Sequence, residues 1–457
     1  MEQHVKRIIG SAAGLFLSLA SSMVLAAAAV PDQLQVTVAN SSGDSIYDLN
    51  LSPGTGTPPV PVISNLTTLV NSAADAKTHG NFEALVWVSN AACKSLDLIV
   101  ADATRGQILR YAGASTLPNC YNPANGAPQV NPVGQVIFKW TKPGAGPAQP
   151  NGLSVDANGN LFVISTTGLL ESKPSVWVLP FNTTANLYCS NQPAGAFCAP
   201  VLIDNRFGGV LTLVLAETAI ASTTTPLWKA GDLLVLVGDT FAARLTVYSH
   251  STLYTSTGTL NAGRLNLSGP SSVAIPFKQF LQMLAAPFGM DQWPADPAHG
   301  IGVSLLLTTL DGRILRFDTA KSAFVANFAQ GLGPGLQKLK VGTYANTPYA
   351  FVAQIEVRGT GQILAFAAPP PSGGNKAFAS VTSGIMNPMG LAVTSSGSAP
   401  VPQNCTDCTV DPVGAAAVTT YTPPPGVSFP GTVTEQNCIV QADPRVTTTP
   451  GWSCNGS

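Results

Sequence analysis

The sequence predicts an all-β fold: a six-bladed β-propeller closed by strands from both parts of the chain, followed by a short irregular Cys-rich tail. Three observations lead there. A strand–turn–strand unit stands out at Gln149–Val163, QPNGLSVDANGNLFV. Half of this unit recurs along the chain. The beginning and end of the repeat region are each incomplete in a way that the other makes good.

Within the unit, Pro150, Asn151 and Gly152 make an opening turn. Leu153 and Val155 flank polar Ser154 in the alternation of a half-buried strand. Asp156, Asn158 and Gly159 supply a tight turn, because Asn and Gly tolerate positive φ. Leu161, Phe162 and Val163 begin the next strand. Leu98–Tyr111 (LIVADATRGQILRY) repeats half of the unit.

Taken in order, the chain begins its repeats with Leu34–Leu49, a strand, polar turn and strand with no lead strand before it. Val60–Leu66 reads as one more short strand. Six lead strands follow, each opened by Gly or Pro: Phe82–Val88, Leu153–Val155, Val210–Leu215, a poorer one after Phe288-Gly289, Leu336–Val341 and Leu391–Val393. A strand pair follows each of the first five: Leu98–Ala101 with Gln107–Tyr111, Leu161–Ile164 with Val176–Leu179, Leu233–Val237 with Leu245–Tyr248, Ser304–Leu307 with Arg313–Phe317, and Ala350–Ala353 with Gln362–Phe366. Three second strands are near copies, opened by Gly106, Gly312 and Gly361, which marks a repeat array. The sixth lead strand has no pair after it, and the first pair has no lead strand before it. Joining them in one sheet closes a ring and leaves no long open edge.

This pattern resembles the NHL-repeat type of six-bladed β-propeller, from about Leu34 to Val393. Gln149–Val163 matches the first half of that repeat, and Leu98–Tyr111 the second half with its Ala-Asp turn. The unit between Phe207 and Phe288 departs from it through long insertions, and its Asp239–Arg244 turn lacks Gly. Inside the insertion, Phe277, Phe280, Leu281 and Leu284 sit at the spacing of a short amphipathic helix.

Composition narrows the functional classes. Charged residues are 10% of the chain and the formal net charge is −1, so no basic stripe offers itself to nucleic acid. Hydrophobic residues at 45% argue for a packed core despite 43 Gly and 37 Pro. Residues 1–29 read as a signal peptide: Lys6 and Arg7, an apolar core Ile8–Val24, and small-residue sites at Ala26-x-Ala28 and Ala27-x-Ala29. No later apolar run reaches the ~18 residues of a spanning helix. The expectation is a secreted or periplasmic monomer, with the propeller at 32–398 and the irregular tail at 399–457. Export makes disulfides the expected state of Cys93, Cys120, Cys189, Cys198, Cys405, Cys408, Cys438 and Cys454. Cys189 and Cys198 bracket a short loop containing Pro193 and Gly195 and are the first expected pair. The pairing of the four tail cysteines stays open.

In a propeller the lead strands line a central channel, and the loops before them form its mouth. Polar residues there are His79, Asn81, Glu83, Asn151, Asp291, His299 and Asn387, the candidate ligand-binding set. The Asn151-Gly-Leu153 turn is similar to the one that supplies a metal-ligand Asn in gluconolactonase-type propellers. That resemblance implies a divalent cation held with carboxylates such as Glu83. The simpler reading, a turn-forming Asn151 and no cofactor, is favoured. A streptogramin-lyase-like reaction would need a His base beside a carboxylate, as His299 after Asp291 and Asp296, or His79 with Glu83, could supply. A loop His in an exported protein is ordinarily only solvated. Asp102, Asp156, Asp239 and Asp311 recur at turns, where side-chain-to-backbone hydrogen bonds explain them better than calcium does. The first expectation is therefore a binding or scaffold module for a protein, glycan or small ligand. A metal-assisted lactonase or lyase at the same mouth is the alternative.

Overall fold

The computed structural model describes residues 34–41, 45–52, 61–63, 66–71, 80–89, 96–115, 134–141, 146–156, 158–165, 174–181, 200–205, 210–216, 228–238, 243–255, 260, 271–273, 287–295, 302–309, 311–318, 323–325, 327–344, 347–356, 360–368, 375–382 and 384–395. The 1–29 leader, the 399–457 tail, all eight cysteines, His79, His299 and the Phe277–Leu284 helix expectation lie outside the described residues.

The described strands form six antiparallel sheets. The first contains β1 (Leu34–Asn40), β2 (Ser45–Ser52), β3 (Val62–Ile63) and β4 (Thr67–Asn71), joined by the last strand, β25 (Pro388–Ser395). The second is β5 (Phe82–Ser89), β6 (Leu96–Asp102), β7 (Gln107–Tyr111) and β8 (Gln135–Lys139). The third is β9 (Pro150–Val155), β10 (Leu161–Ser165), β11 (Ser175–Leu179) and β12 (Val201–Asp204). The fourth is β13 (Val210–Ala216), β14 (Asp232–Gly238), β15 (Ala243–Tyr248) and β16 (Ser271–Val273). The fifth is β17 (Pro287–Trp293), β18 (Ser304–Thr309), β19 (Ile314–Asp318) and β20 (Ala323–Phe324). The sixth is β21 (Leu336–Tyr344), β22 (Thr347–Ile355), β23 (Gly361–Phe366) and β24 (Ala379–Val381).

The lead strands β5, β9, β13, β17, β21 and β25 each touch the next, and β25 touches β5 again. Apolar clusters lie between neighbouring sheets. Phe162, Ile164 and Val178 of the third sheet pack on Leu233, Val235 and Tyr248 of the fourth. Trp293, Leu306 and Ile314 of the fifth pack on Leu339, Val352 and Phe366 of the sixth. Fully burying one such side chain contributes ~1.5–3 kcal/mol, so the contacts between sheets supply the main favourable energy. The architecture is an all-β β-propeller.

Closure joins the two ends of the repeat region as the incomplete units require. Val36 pairs with Val393 and Val38 with Leu391, while β1 pairs β2 on its other side. The buried seam residues Leu34, Val36 and Val38 pack with Tyr349, Phe351 and Ile363 of the sixth sheet.

Four details refine the sequence reading. The short strand expected within Val60–Leu66 is the two-residue β3, and a further strand, β4, begins at Thr67; both pair β2. The strand around Phe288-Gly289 is a full seven residues, so Asp291 lies inside it and not in a loop. Outer strands β8, β12, β16, β20 and β24 went unforeseen, being short and, where their burial is described, partly exposed. They lack the apolar alternation that marks a half-buried strand. A single helical turn, α1 (His250–Leu253), was also unforeseen; it contributes buried Leu253.

Candidate functional site

Every lead strand is bulged near its start. In β5, Phe82 pairs with Asp102 and Ala84 with Ala101, which leaves Glu83 as the extra residue. The extra residue is Asn151 in β9, Leu211 in β13, Phe288 in β17 and Met389 in β25. In β21, Gln337 and Lys338 together oppose the single Ala353. A bulge re-aims the side chain at the extra position and kinks the strand. Because the defect recurs at the same place on all six lead strands, these positions form one layer at one end of the ring. The neighbouring backbones come close there: a Cβ on Gly289 would sit 2.4 Å from the Gln337 carbonyl oxygen.

Glu83 is partly buried, and Asn81 Nδ2 donates to its Oε1 at 2.7 Å. Burial raises the Glu83 carboxyl above the usual range, and Lys338 pulls it back down. Lys338 responds in the opposite sense. Burial pushes its ammonium down to about 8, Glu83 pulls it up, and Lys340 adds a smaller push down. The two charges sense each other from lead strands on either side of β25. Sequence reasoning missed Lys338 and Lys340. The signal was available: a Gln-Lys-Leu-Lys run inside a lead strand of a chain with only 10% charged residues.

Asn151 lies on β9, next to β5 in the ring, and its Oδ1 is buried without a hydrogen-bond partner. Asp291 is already occupied. Its Oδ2 accepts from the Val341 N–H at 2.8 Å, and its Oδ1 from the Gln292 N–H at 2.9 Å. It stitches β17 to β21 and is positioned as a structural carboxylate. Asn387 adopts φ 46° in the turn before β25, and its carbonyl accepts from the Ser41 N–H at 3.2 Å. That places it in the closure of the ring. Thus Glu83 with Asn81 and Asn151 come from neighbouring strands of the bulge layer, whereas Asp291 and Asn387 serve the backbone.

The turn aspartates behave as side-chain hydrogen-bond acceptors. Asp102 accepts from the Gly80 N–H at 2.9 Å, the Arg105 N–H at 3.2 Å and Gln107 Nε2 at 2.9 Å. Asp156 accepts from the Asn158 and Asn160 N–H groups at 2.9 and 2.8 Å. Asp311 pairs with Arg313. Asp239 lies outside the described residues. Among the described residues no three His, Cys, Asp or Glu converge as a metal would need, and no helix is long and apolar enough to cross a membrane.

No protein-family model matches the chain, and no curated protein matches it. Among solved structures, it is similar to the β-propeller domain of Cps50 (Swd1) from Myceliophteria thermophila, with a TM-score of 0.36 and 10% identity, over 66% of this chain and 71% of that one. The class of the protein therefore rests on its own strand order: a β-propeller with a layer of bulges at the start of its lead strands.

Proposed function

We propose that the chain is an exported, monomeric, NHL-like propeller of six blades, one per sheet, that binds a protein, glycan or small ligand at the channel mouth. The bulge layer carries this reading. Six strands depart from regular pairing at one level, and a repeated defect of that kind is what aims side chains into a site. The function cannot be taken from the fold alone, since propellers host many activities. Export is supported by the charged and apolar leader and its small-residue cleavage sites. The test is a thermal-shift screen of the full chain against glycans, small molecules and candidate proteins, repeated with Glu83→Gln and Lys338→Met. A genuine channel ligand raises the melting temperature of the wild type and loses that effect in at least one variant.

A second reading, a metal-assisted lactonase or lyase, is favoured by one observation. The unpartnered Asn151 Oδ1 lies on the strand next to Glu83. The Lys338 ammonium weighs against it, because it repels a cation from the position where Glu83 would bind one. Lactone hydrolysis that depends on added divalent ion, and that Asn151→Ala abolishes, would establish this reading instead.

A further inference from the structure

Of the described sheets, only the closing one draws strands from both parts of the repeat region, and it encloses a carboxyl group. Asp48 of β2, Gln35 and Thr37 of β1, and Ser115 are all fully buried. Thr37 stands directly opposite Asp48 in the ladder, and Gln35 lies two residues away on the same face of β1. Gln35 Nε2 donates to Asp48 Oδ2 at 2.6 Å, and Thr37 Oγ1 donates to Oδ1 at 2.7 Å. Ser115, which follows β7 of the second sheet, donates through Oγ to Gln35 Oε1 at 2.9 Å. That bond turns the amide so that Nε2 faces Asp48, and it ties the closing sheet to the second sheet. Across the ladder from Gln35, on β25, Thr394 Oγ1 is buried without a hydrogen-bond partner.

Among the described residues, the Asp48 carboxyl has only these neutral donors as partners. The strands β1, β3, β4 and β25 carry no titratable side chain, and β2 adds only Tyr47. Of the strands packed against β1, β5 brings Glu83 and β21 brings Lys338, Lys340 and Tyr344. Tyr344 and Tyr349 belong to the cluster on the opposite face of β1. Near Ser115, Asp97 is taken up by Arg110 and the Gly113 N–H. None of these groups acts on Asp48, whose influences are burial, Thr37 and Gln35. Two neutral donors compensate a buried charge poorly, so the interior favours the neutral carboxyl and raises it to about 7. The Thr37 hydroxyl can turn to accept from the protonated Oδ1, while Gln35 remains a donor to Oδ2.

We propose that the Asp48 cluster is a proton-operated latch on ring closure. With the proton in place, the β1–β2 hairpin stays docked between β25 and Ser115. Loss of the proton leaves a bare carboxylate in that interface, and the hairpin undocks to hydrate it while the other five sheets keep their pairing. The seam favours such a local opening. Its strands are distant in the chain, its ladder shifts register between Ala39 and Asn40, and the Thr394 hydroxyl is unsatisfied beside it. The docked hairpin holds the proton more tightly than the undocked one. Closure is therefore firmest below the ordinary carboxyl value of 3.8, weakens as pH rises toward 7, and is level above it. The latch goes beyond the channel-mouth reading and requires no ligand.

The experiment is native-state hydrogen exchange of the full chain in low urea, from about pH 4.5 to about pH 8, read by mass spectrometry and corrected for intrinsic exchange rates. Amides of Leu34–Asn40 and Pro388–Ser395 exchange through an opening that is less costly and less urea-dependent than that of the slowest amides of Ser304–Asp318, which report global unfolding. The seam opening becomes about tenfold more frequent per pH unit up to about pH 7 and is constant beyond it. Asp48→Asn removes that slope. Ser115→Ala raises the opening at every pH and keeps the slope. Seam exchange only through global unfolding, a seam opening indifferent to pH in the wild type, or an undiminished slope in Asp48→Asn overturns the proposal. The first two outcomes are read on the wild type alone, so they decide the matter even if Asp48→Asn does not fold.

Discussion

The Met386 backbone N–H donates to the Asn40 side-chain oxygen at 3.0 Å, linking positions 346 residues apart. Asn40 is buried at the end of β1, where the pairing with β25 shifts register. Closure thus depends on one amide side chain as well as on the ladder. Asn40→Ala leaves the Met386 N–H without this acceptor and should cost about 1–2 kcal/mol. Asn40→Asp keeps an acceptor oxygen and should recover most of it. Urea midpoints of the three proteins check this; equal midpoints for wild type and Asn40→Ala would remove Asn40 from the closure.

Gly312 opens one of the three repeated second strands. Its φ is +86°, and a Cβ there would lie 2.2 Å from the Gly333 carbonyl oxygen. Gly312→Ala should destabilise by about 2 kcal/mol or more, through backbone strain and collision together. A Cβ on Gly302 would meet nothing within 4 Å, so Gly302→Ala should stay within about 0.5 kcal/mol of wild type. Chemical denaturation of the pair reads the contrast directly.

Asp102 is fully buried and accepts three hydrogen bonds. Asp102→Ala orphans those donors, two of them backbone N–H groups, and should cost roughly 2–4 kcal/mol. Because the carboxylate oxygens already have donors, millimolar calcium should leave the wild-type melting temperature where it is. A calcium-dependent rise that Asp102→Ala abolishes would restore the metal reading of this turn.

Asp48 of β2 is fully buried and accepts from Gln35 Nε2 at 2.6 Å and Thr37 Oγ1 at 2.7 Å. Burial outweighs those hydrogen bonds and raises the carboxyl to about 7, against its ordinary 3.8. The folded chain therefore holds a proton that the unfolded chain releases between those two pH values. Stability from this group is highest below the unfolded value, falls by roughly 1.4 kcal/mol per pH unit as pH rises toward 7, and is level above it. Asp48→Asn should flatten the dependence between pH 4 and 7 relative to wild type. Thermal melts across that range decide it, and parallel curves for the two proteins would refute it.

The order of the inner strands was legible in the residues alone because apolar alternation and Gly/Asn/Asp turns are local signals. Phe82, Leu153, Leu336 and Leu391 all fall in lead strands, and the joining of Leu34–Leu49 to Leu391–Val393 follows from each lacking what the other supplies. The repeated Gly, however, conceals two causes. Gly106 and Gly312 need positive φ, whereas Gly361 is required by close approach, 2.2 Å from a Cβ to Pro388 Cδ. Glu83 and Asn151 could be nominated as polar residues at strand starts. That they are bulge residues in register with Lys338 was decided by the ladder, since an extra residue is visible only when both strands are paired. The same holds for Asp48, whose carboxyl is displaced by the packing around it and not by its neighbours in sequence. Periodicity within about ten residues determined the inner strands and their order; the outer strands and the side-chain environments arose from contacts between strands distant in the chain, because burial and electrostatic influence depend on distance in space.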